Sequence, residues 1–236
     1  MLWYKGWLET RLRLWIALGW MGMLLVFVSL RTIAPPPQSP PGRNPVLGLA
    51  LMMGSFVTVM CTWFAGAGIA SQGAFQMLKG LHGSTQFTLS LPVNRLRLLA
   101  VRAALGWMEM ACVIGAFCCG VWLAAPLLTA GATAVEMFEY AVIVIACASA
   151  LYFLSVLLAT FFDDQWRSWG TMFACVAIWG LPNLTGVPAY TDIFRAMGEG
   201  SPLVAHTMPW PVMAFSLALA AIVFFAALKG VQAREY

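Results

Sequence analysis

Charge is what this sequence has least of. Only 9% of its 236 residues are Asp, Glu, Lys or Arg, where a water-soluble domain carries about 25%. Hydrophobic residues make up 61%, and the mean hydropathy is +0.84. A soluble core of this size cannot hide so much apolar surface, so the chain is read as integral to a membrane. A phosphate loop of the form Gly-x-x-x-x-Gly-Lys-Ser/Thr is absent, so the chain is not expected to bind nucleotide or Mg2+ by itself. A Ser/His/Asp set and an His-Glu-x-x-His metal motif are absent too. The net charge of +4 is spread over short loops rather than gathered in a patch, which argues against a nucleic-acid partner. Cys61, Cys112, Cys118, Cys119, Cys147 and Cys175 all fall inside apolar runs without Cys-x-x-Cys or Cys/His spacing. They read as small buried hydrophobes.

What the sequence does have is long apolar runs. A membrane helix needs about 20 predominantly apolar residues. Six runs qualify, near 14–31, 46–70, 97–124, 137–161, 167–182 and 211–229. Strand-like alternation does not compete over these lengths, so the expected fold class is all-α: one polytopic transmembrane domain over 1–236 with six spans. The first run follows Lys5, Arg11 and Arg13, lacks a small-residue cleavage site, and is expected to remain as a span.

Basic residues orient the spans. With the N-terminus inside, Lys5, Arg11, Arg13, Lys79, Arg95, Arg97, Arg102, Arg167, Lys229 and Arg234 fall on the inner side, and only Arg31, Arg43 and Arg195 fall outside. This bias places both termini in the cytoplasm. Trp166, Trp169 and Trp210 then lie near the interfaces, where amphipathic rings collect. His82 and His206 fall on opposite sides and cannot share a site.

Lys5, Glu9 and Arg13 recur every four residues and so line one helical face, with Trp3 and Trp7 paired likewise. The pattern predicts an in-plane amphipathic helix over about 1–13, the alternative being an ordinary charged flank of the first span. The outer segment "APPPQSPPGRNP" reads as an extended connector. In the last outer loop, about 183–210, "TDIFRAMGEG" predicts a short helix capped by Thr191 or Asp192. Asn183-Leu184-Thr185 matches a glycosylation pattern of low specificity.

The segment "HGSTQFTLSLPVNRLRLL" at 82–99 stands between two apolar runs, on the inner side of this topology. Pro92 stops helix propagation, Asn94 is a candidate cap for the next span, and Arg95, Arg97 and Arg102 mark its inner end. These residues describe a short exposed helix joined to a span through a stiff corner, or a plain polar connector.

The pattern Gly83-Ser84-Thr85, then Leu89-Ser90-Leu91-Pro92-Val93-Asn94-Arg95, then Leu98-Leu99, resembles the stretch after the second span of type-2 ABC exporter permeases. The layout of an in-plane helix, six spans and an irregular outer loop before the last span is similar as well. The resemblance implies a multi-pass permease subunit of an exporter in the plasma (inner) membrane, working as a dimer with a second permease subunit. An ABC ATPase subunit would bind ATP and Mg2+. Gly83, Thr85, Leu89, Leu91, Pro92, Val93 and Arg95 would form the coupling helix that docks on that ATPase. The competing reading is a non-transporting membrane scaffold or assembly factor with the same six spans.

Glu109 is the only obvious carboxylate deep inside a span. A lone carboxylate facing lipid there would cost roughly 2.5–3.5 kcal/mol, so two arrangements are open. It is a polar point on a translocation path or dimer seam, partnered by Ser55, Thr58 or Thr62 or by the second subunit. Otherwise the span starts later and Glu109 lies close to the inner interface beside Trp107. A single carboxylate is too little for an intramembrane enzyme, which needs at least two convergent polar groups.

Overall fold

The computed structural model describes residues 2–33, 45–65, 95–124, 132–162, 164–180, 188–198 and 200–232. All regular structure among them is helical: α1 (Leu2–Ile33), α2 (Pro45–Ala65), α3 (Arg95–Ala124), α4 (Ala134–Phe161), α5 (Asp164–Gly180), a 3-10 turn (Ala189–Thr191), α6 (Ile193–Met197), α7 (Pro202–Ala205) and α8 (Trp210–Gln232). Four segments are long and apolar enough to cross a bilayer: Thr10–Phe27 within α1, Leu96–Ala124, Ala134–Phe161 and Trp210–Gln232. Together they mark a helical membrane protein.

α4 is the axis of the bundle. Its N-terminus is fixed by a capping box in which Thr133 accepts from the Glu136 backbone N–H and the Glu136 side chain accepts from that of Thr133. α4 packs against α2, α3, α5, α8 and the outer-loop helices, and no residue from Glu139 to Thr160 is exposed. A helix apolar on every side is one that neighbours surround.

α3 and α4 form an antiparallel pair whose polar contacts step along both helices. Trp122 Nε1 donates to the Ala132 carbonyl at 3.0 Å, Trp107 Nε1 to Ser149 Oγ at 2.8 Å, and Tyr152 Oη to the Ala103 carbonyl at 2.9 Å. The start of α3 therefore lies at the end of the bundle where α4 finishes and α5 begins. Gly106 sits where the α2 and α4 surfaces meet it: a Cβ there would come within 3.0 Å of the Phe64 carbonyl. Phe56 of α2 stacks on Phe117 of α3 with ring centroids 4.5 Å apart.

α1 lies on the outside of this core, chiefly against α3. Thr10 meets Glu109 and Leu25 fills the notch at Gly120, so the two helices run in the same direction. The remaining surface of α1 is bulky and exposed, including Trp3, Trp7, Trp15, Trp20 and Phe27.

One expectation differs at the N-terminus. Residues 2–33 form a single unbroken helix rather than a separate element over 1–13 followed by a span. No proline interrupts the run; Thr10 already makes a buried contact with α3, and Arg13 contacts Trp63 at the surface of α2. At 32 residues α1 is about 48 Å long, against about 30 Å of hydrocarbon. The other boundaries lie within a few residues of expectation, except that α2 is described only to Ala65.

The outer loop is ordered by short elements. Asp192 caps α6, its side chain accepting from the Arg195 N–H at 2.8 Å. Ile193, Ala196 and Met197 turn into the core, and Tyr140 Oη donates to the Met197 carbonyl at 3.1 Å. His206 ends α7 in the left-handed region with φ 51°, the sole positive φ among the described non-glycine residues. Its Nδ1 lies 3.2 Å from Glu136 Oε1, which ties the loop to the first turn of α4.

Candidate functional site

Glu109 lies fourteen residues after Arg95 and fifteen before Ala124, so it stands about 21 Å from one end of α3 and about 22 Å from the other. It is 4% exposed. The side chain turns toward α1, where the Thr10 hydroxyl donates to Oε1. Among the described residues Oε2 has no hydrogen-bond partner and is out of contact with solvent. Arg13, on the next turn of α1, lies within electrostatic range of the carboxylate. Arg13 also pairs with Trp63 of α2 in two long hydrogen bonds: its Nη1 donates to the Trp63 carbonyl at 3.4 Å, and Trp63 Nε1 donates to the Arg13 carbonyl at 3.4 Å. Thr10, Arg13, Trp63 and Glu109 thus join three helices through polar groups in an otherwise apolar setting.

This corrects the expected partners of Glu109. Thr58 Oγ1 donates to the Gly54 carbonyl at 2.9 Å, and Thr62 Oγ1 lies 3.0 Å from the Thr58 carbonyl and 2.8 Å from that of Val59. Both hydroxyls are spent on their own helix, the usual refuge of Thr in an apolar helix. Ser55 is exposed on α2. The partner is Thr10, in the segment read from sequence as lying in the membrane plane. Glu109 faces protein rather than lipid, as the cost of an exposed carboxylate requires.

Of the residues assigned to ATPase coupling, Gly83, Thr85, Leu89, Leu91, Pro92 and Val93 lie outside the described residues, as do His82, the proline-rich connector and Asn183–Thr185. Arg95 is the first residue of α3. Arg97 is exposed on that helix, whereas Arg102 is buried at 7% exposure. Buried polar side chains recur in the half of the bundle near this end: Thr171 Oγ1 of α5 lies 2.9 Å from Ser155 Oγ of α4, and Arg167 is 3% exposed.

Sequence reasoning missed Thr10 as a buried contact of Glu109 and Arg13 as a partner of Trp63, because both fall in the segment expected to lie in the membrane plane. Among the described residues, three or more His, Cys, Asp or Glu side chains do not converge on a metal position.

Compared with protein-family models, curated proteins and solved structures, the chain matches none.

Proposed function

We propose that the chain is the transmembrane permease subunit of an ABC-type exporter, in the plasma (inner) membrane with both termini in the cytoplasm. Six spans are proposed: the four long apolar helices together with α2 and α5, whose 21 and 17 residues are about 31 Å and 25 Å long. A separate ABC ATPase subunit would bind ATP and Mg2+, and a second permease subunit would complete the pathway within the lipid. The bulky aromatic surface at the start of α1 would rest at the inner headgroup layer.

The observation that carries this reading is the sequence motif Gly83–Arg95, which immediately precedes α3 in the chain. The start of α3, with Arg95, Arg97 and Arg102 in its first turns, lies at the end of the bundle where α4 gives way to α5. A short docking helix attached there would pass motion from an ATPase to a helix that packs on α1, α2 and α4. Glu109 and Thr10 lie on that same helix pair, so the α1–α3 contact is the proposed route by which the motion reaches the interior.

The test replaces Leu89 and Leu91 with Asp and purifies the chain with its associated proteins from native membranes. Under the proposal, an ABC ATPase copurifies with the parent. The double variant inserts normally but loses the ATPase or its substrate-stimulated turnover. Unchanged association and turnover in a stably inserted variant returns the segment to a plain connector. Absence of any ATPase from the parent complex favours the scaffold reading.

A further inference from the structure

The contact between Glu109 and Thr10 is one in which the protons can be counted. The Thr10 hydroxyl has a single proton and two oxygens to give it to: Glu109 Oε1, and the Trp7 carbonyl at 3.4 Å. Glu109 Oε2 has neither solvent nor, among the described residues, a hydrogen-bond partner. With the carboxyl ionised, three oxygens therefore share one hydroxyl proton. One added proton changes the count: Glu109 donates to the Thr10 hydroxyl, the hydroxyl donates to the Trp7 carbonyl, and no heavy atom has to move. A hydroxyl serves both states because it is donor and acceptor at once.

The neighbouring polar groups are engaged elsewhere. On α1, Arg13 stands one turn beyond Thr10 and makes its two hydrogen bonds with Trp63 of α2. Over Pro45–Ala65 α2 has no charged residue, and its Cys61 thiol faces Met110 Sδ at 3.6 Å. On α4, Tyr152 Oη donates to the Ala103 carbonyl at 2.9 Å. On α3 itself, Arg102 is buried two turns toward the start of the helix. α8, which also packs on α3, has no charged residue before Lys229. An ionised carboxylate at 4% exposure is thus left with one hydroxyl for hydrogen bonding, and a buried charge is tolerated only when paired and fully hydrogen-bonded.

We propose that Glu109 is a proton-binding site of the membrane interior, exchanging one proton near neutral pH, with Thr10 donating to the empty site and accepting from the loaded one. A proton is the ligand that fits. A hard metal cation takes about six oxygen donors, whereas the carboxyl has one hydroxyl beside it and no cluster of ligating side chains among the described residues. Loading adds one proton and removes one negative charge; no electron moves, and the proton comes from and returns to bulk water. Intramembrane carboxyls that face protein are the groups that take up and pass on protons. The site uses neither the segment 83–95 nor an ATPase, so it stands independently of the transporter reading.

The experiment treats the full chain in liposomes with dicyclohexylcarbodiimide and records infrared spectra over the same pH series. The carbodiimide takes up the carboxyl proton on nitrogen and the carboxylate oxygen adds to its central carbon; acyl transfer to nitrogen then leaves a stable N-acylurea that retains every atom of both reactants. At neutral pH the apolar reagent should add one reagent mass to the peptide that contains Glu109, and a charged, water-soluble carbodiimide should not. Labelling should fall by roughly tenfold or more toward alkaline pH. Subtracting the Glu109→Gln spectrum should leave one carbonyl stretch of an un-ionised acid at neutral pH, fading over the same range. Thr10→Val should move the midpoint by about one pH unit, and Thr10→Ser should restore it. Label on another carboxyl instead, labelling indifferent to pH, no Glu109-dependent acid stretch at neutral pH, or an unmoved midpoint in Thr10→Val overturns the proposal. Should Glu109→Gln fail to fold, the peptide mass and pH profile of the parent still decide.

Discussion

The Thr10 hydroxyl donates to the carboxylate of Glu109 across 99 residues of chain, and this contact pins α1 to the middle of α3. The remaining α1–α3 contact includes Leu25 in the notch at Gly120, fifteen residues further along α1. One polar and one apolar fastening therefore hold a helix whose apolar window is otherwise largely unburied.

Thr10→Val keeps the shape of residue 10 and removes its donor, leaving Glu109 with two buried acceptors and one partner fewer. The expected loss is about 1 kcal/mol, the scale of interhelical hydrogen bonds in membranes. Equilibrium unfolding in mixed micelles measures it. A double-mutant cycle with Glu109→Gln should show coupling between the two sites; strict additivity would mean that the hydrogen bond contributes nothing.

Gly106 and Gly115 lie on the same helix and should respond oppositely. A Cβ at Gly106 would stand 2.5 Å from Tyr152 Oη and 3.0 Å from the Phe64 carbonyl, whereas a Cβ at Gly115 meets nothing within 4 Å. Gly106→Ala should destabilise by about 1–3 kcal/mol through overpacking. Gly115→Ala should be neutral or slightly stabilising, because Ala is the better helix former. Thermal unfolding of the two variants side by side checks this, and equal midpoints would contradict the packing described.

Gly120→Val should push Leu25 out of its notch and loosen α1. Because the obstruction is the end of a flexible side chain rather than backbone, Leu25→Ala in the same chain should recover much of the loss. Protease release of the N-terminal segment reads the effect. A double variant no better than Gly120→Val would place the damage elsewhere.

Tyr140→Phe removes the bond from α4 to the Met197 carbonyl and leaves that buried acceptor unpaired. The expected cost is about 1–3 kcal/mol, felt first in the outer loop. Amide exchange across 193–205 should rise while the inner half of α4 stays protected; uniform loss of protection would mean that the loop is not a separate unit.

The helical class and most helix positions were legible in the sequence because apolar run length is a one-dimensional property. α8 was expected over 211–229 and spans Trp210–Gln232; α5 was expected over 167–182 and spans Asp164–Gly180. The third span was expected over 97–124, and α3 is described over Arg95–Ala124. What the sequence did not disclose is which helix faces which. Thr58 and Thr62 looked like partners for Glu109 because they are polar and inside a span, yet each satisfies itself on its own backbone. The i, i+4 repeat of Lys5, Glu9 and Arg13 identifies a helical face but not its surroundings, and so an in-plane helix was expected where α1 continues unbroken.

The absence of an exposed residue between Glu139 and Thr160 of α4 also governs how this protein can vary. On α1 or α8 a lineage accumulating substitutions can change the lipid-facing side freely, so tolerated changes should recur with the helical period. α4 offers no such side. A saturation scan should record it as a continuous block in which enlarging any residue is penalised, with compensating changes drawn from several neighbours at once. The most conservative stretch of any divergent set of these chains would then be one without a motif, kept constant by crowding rather than by chemistry.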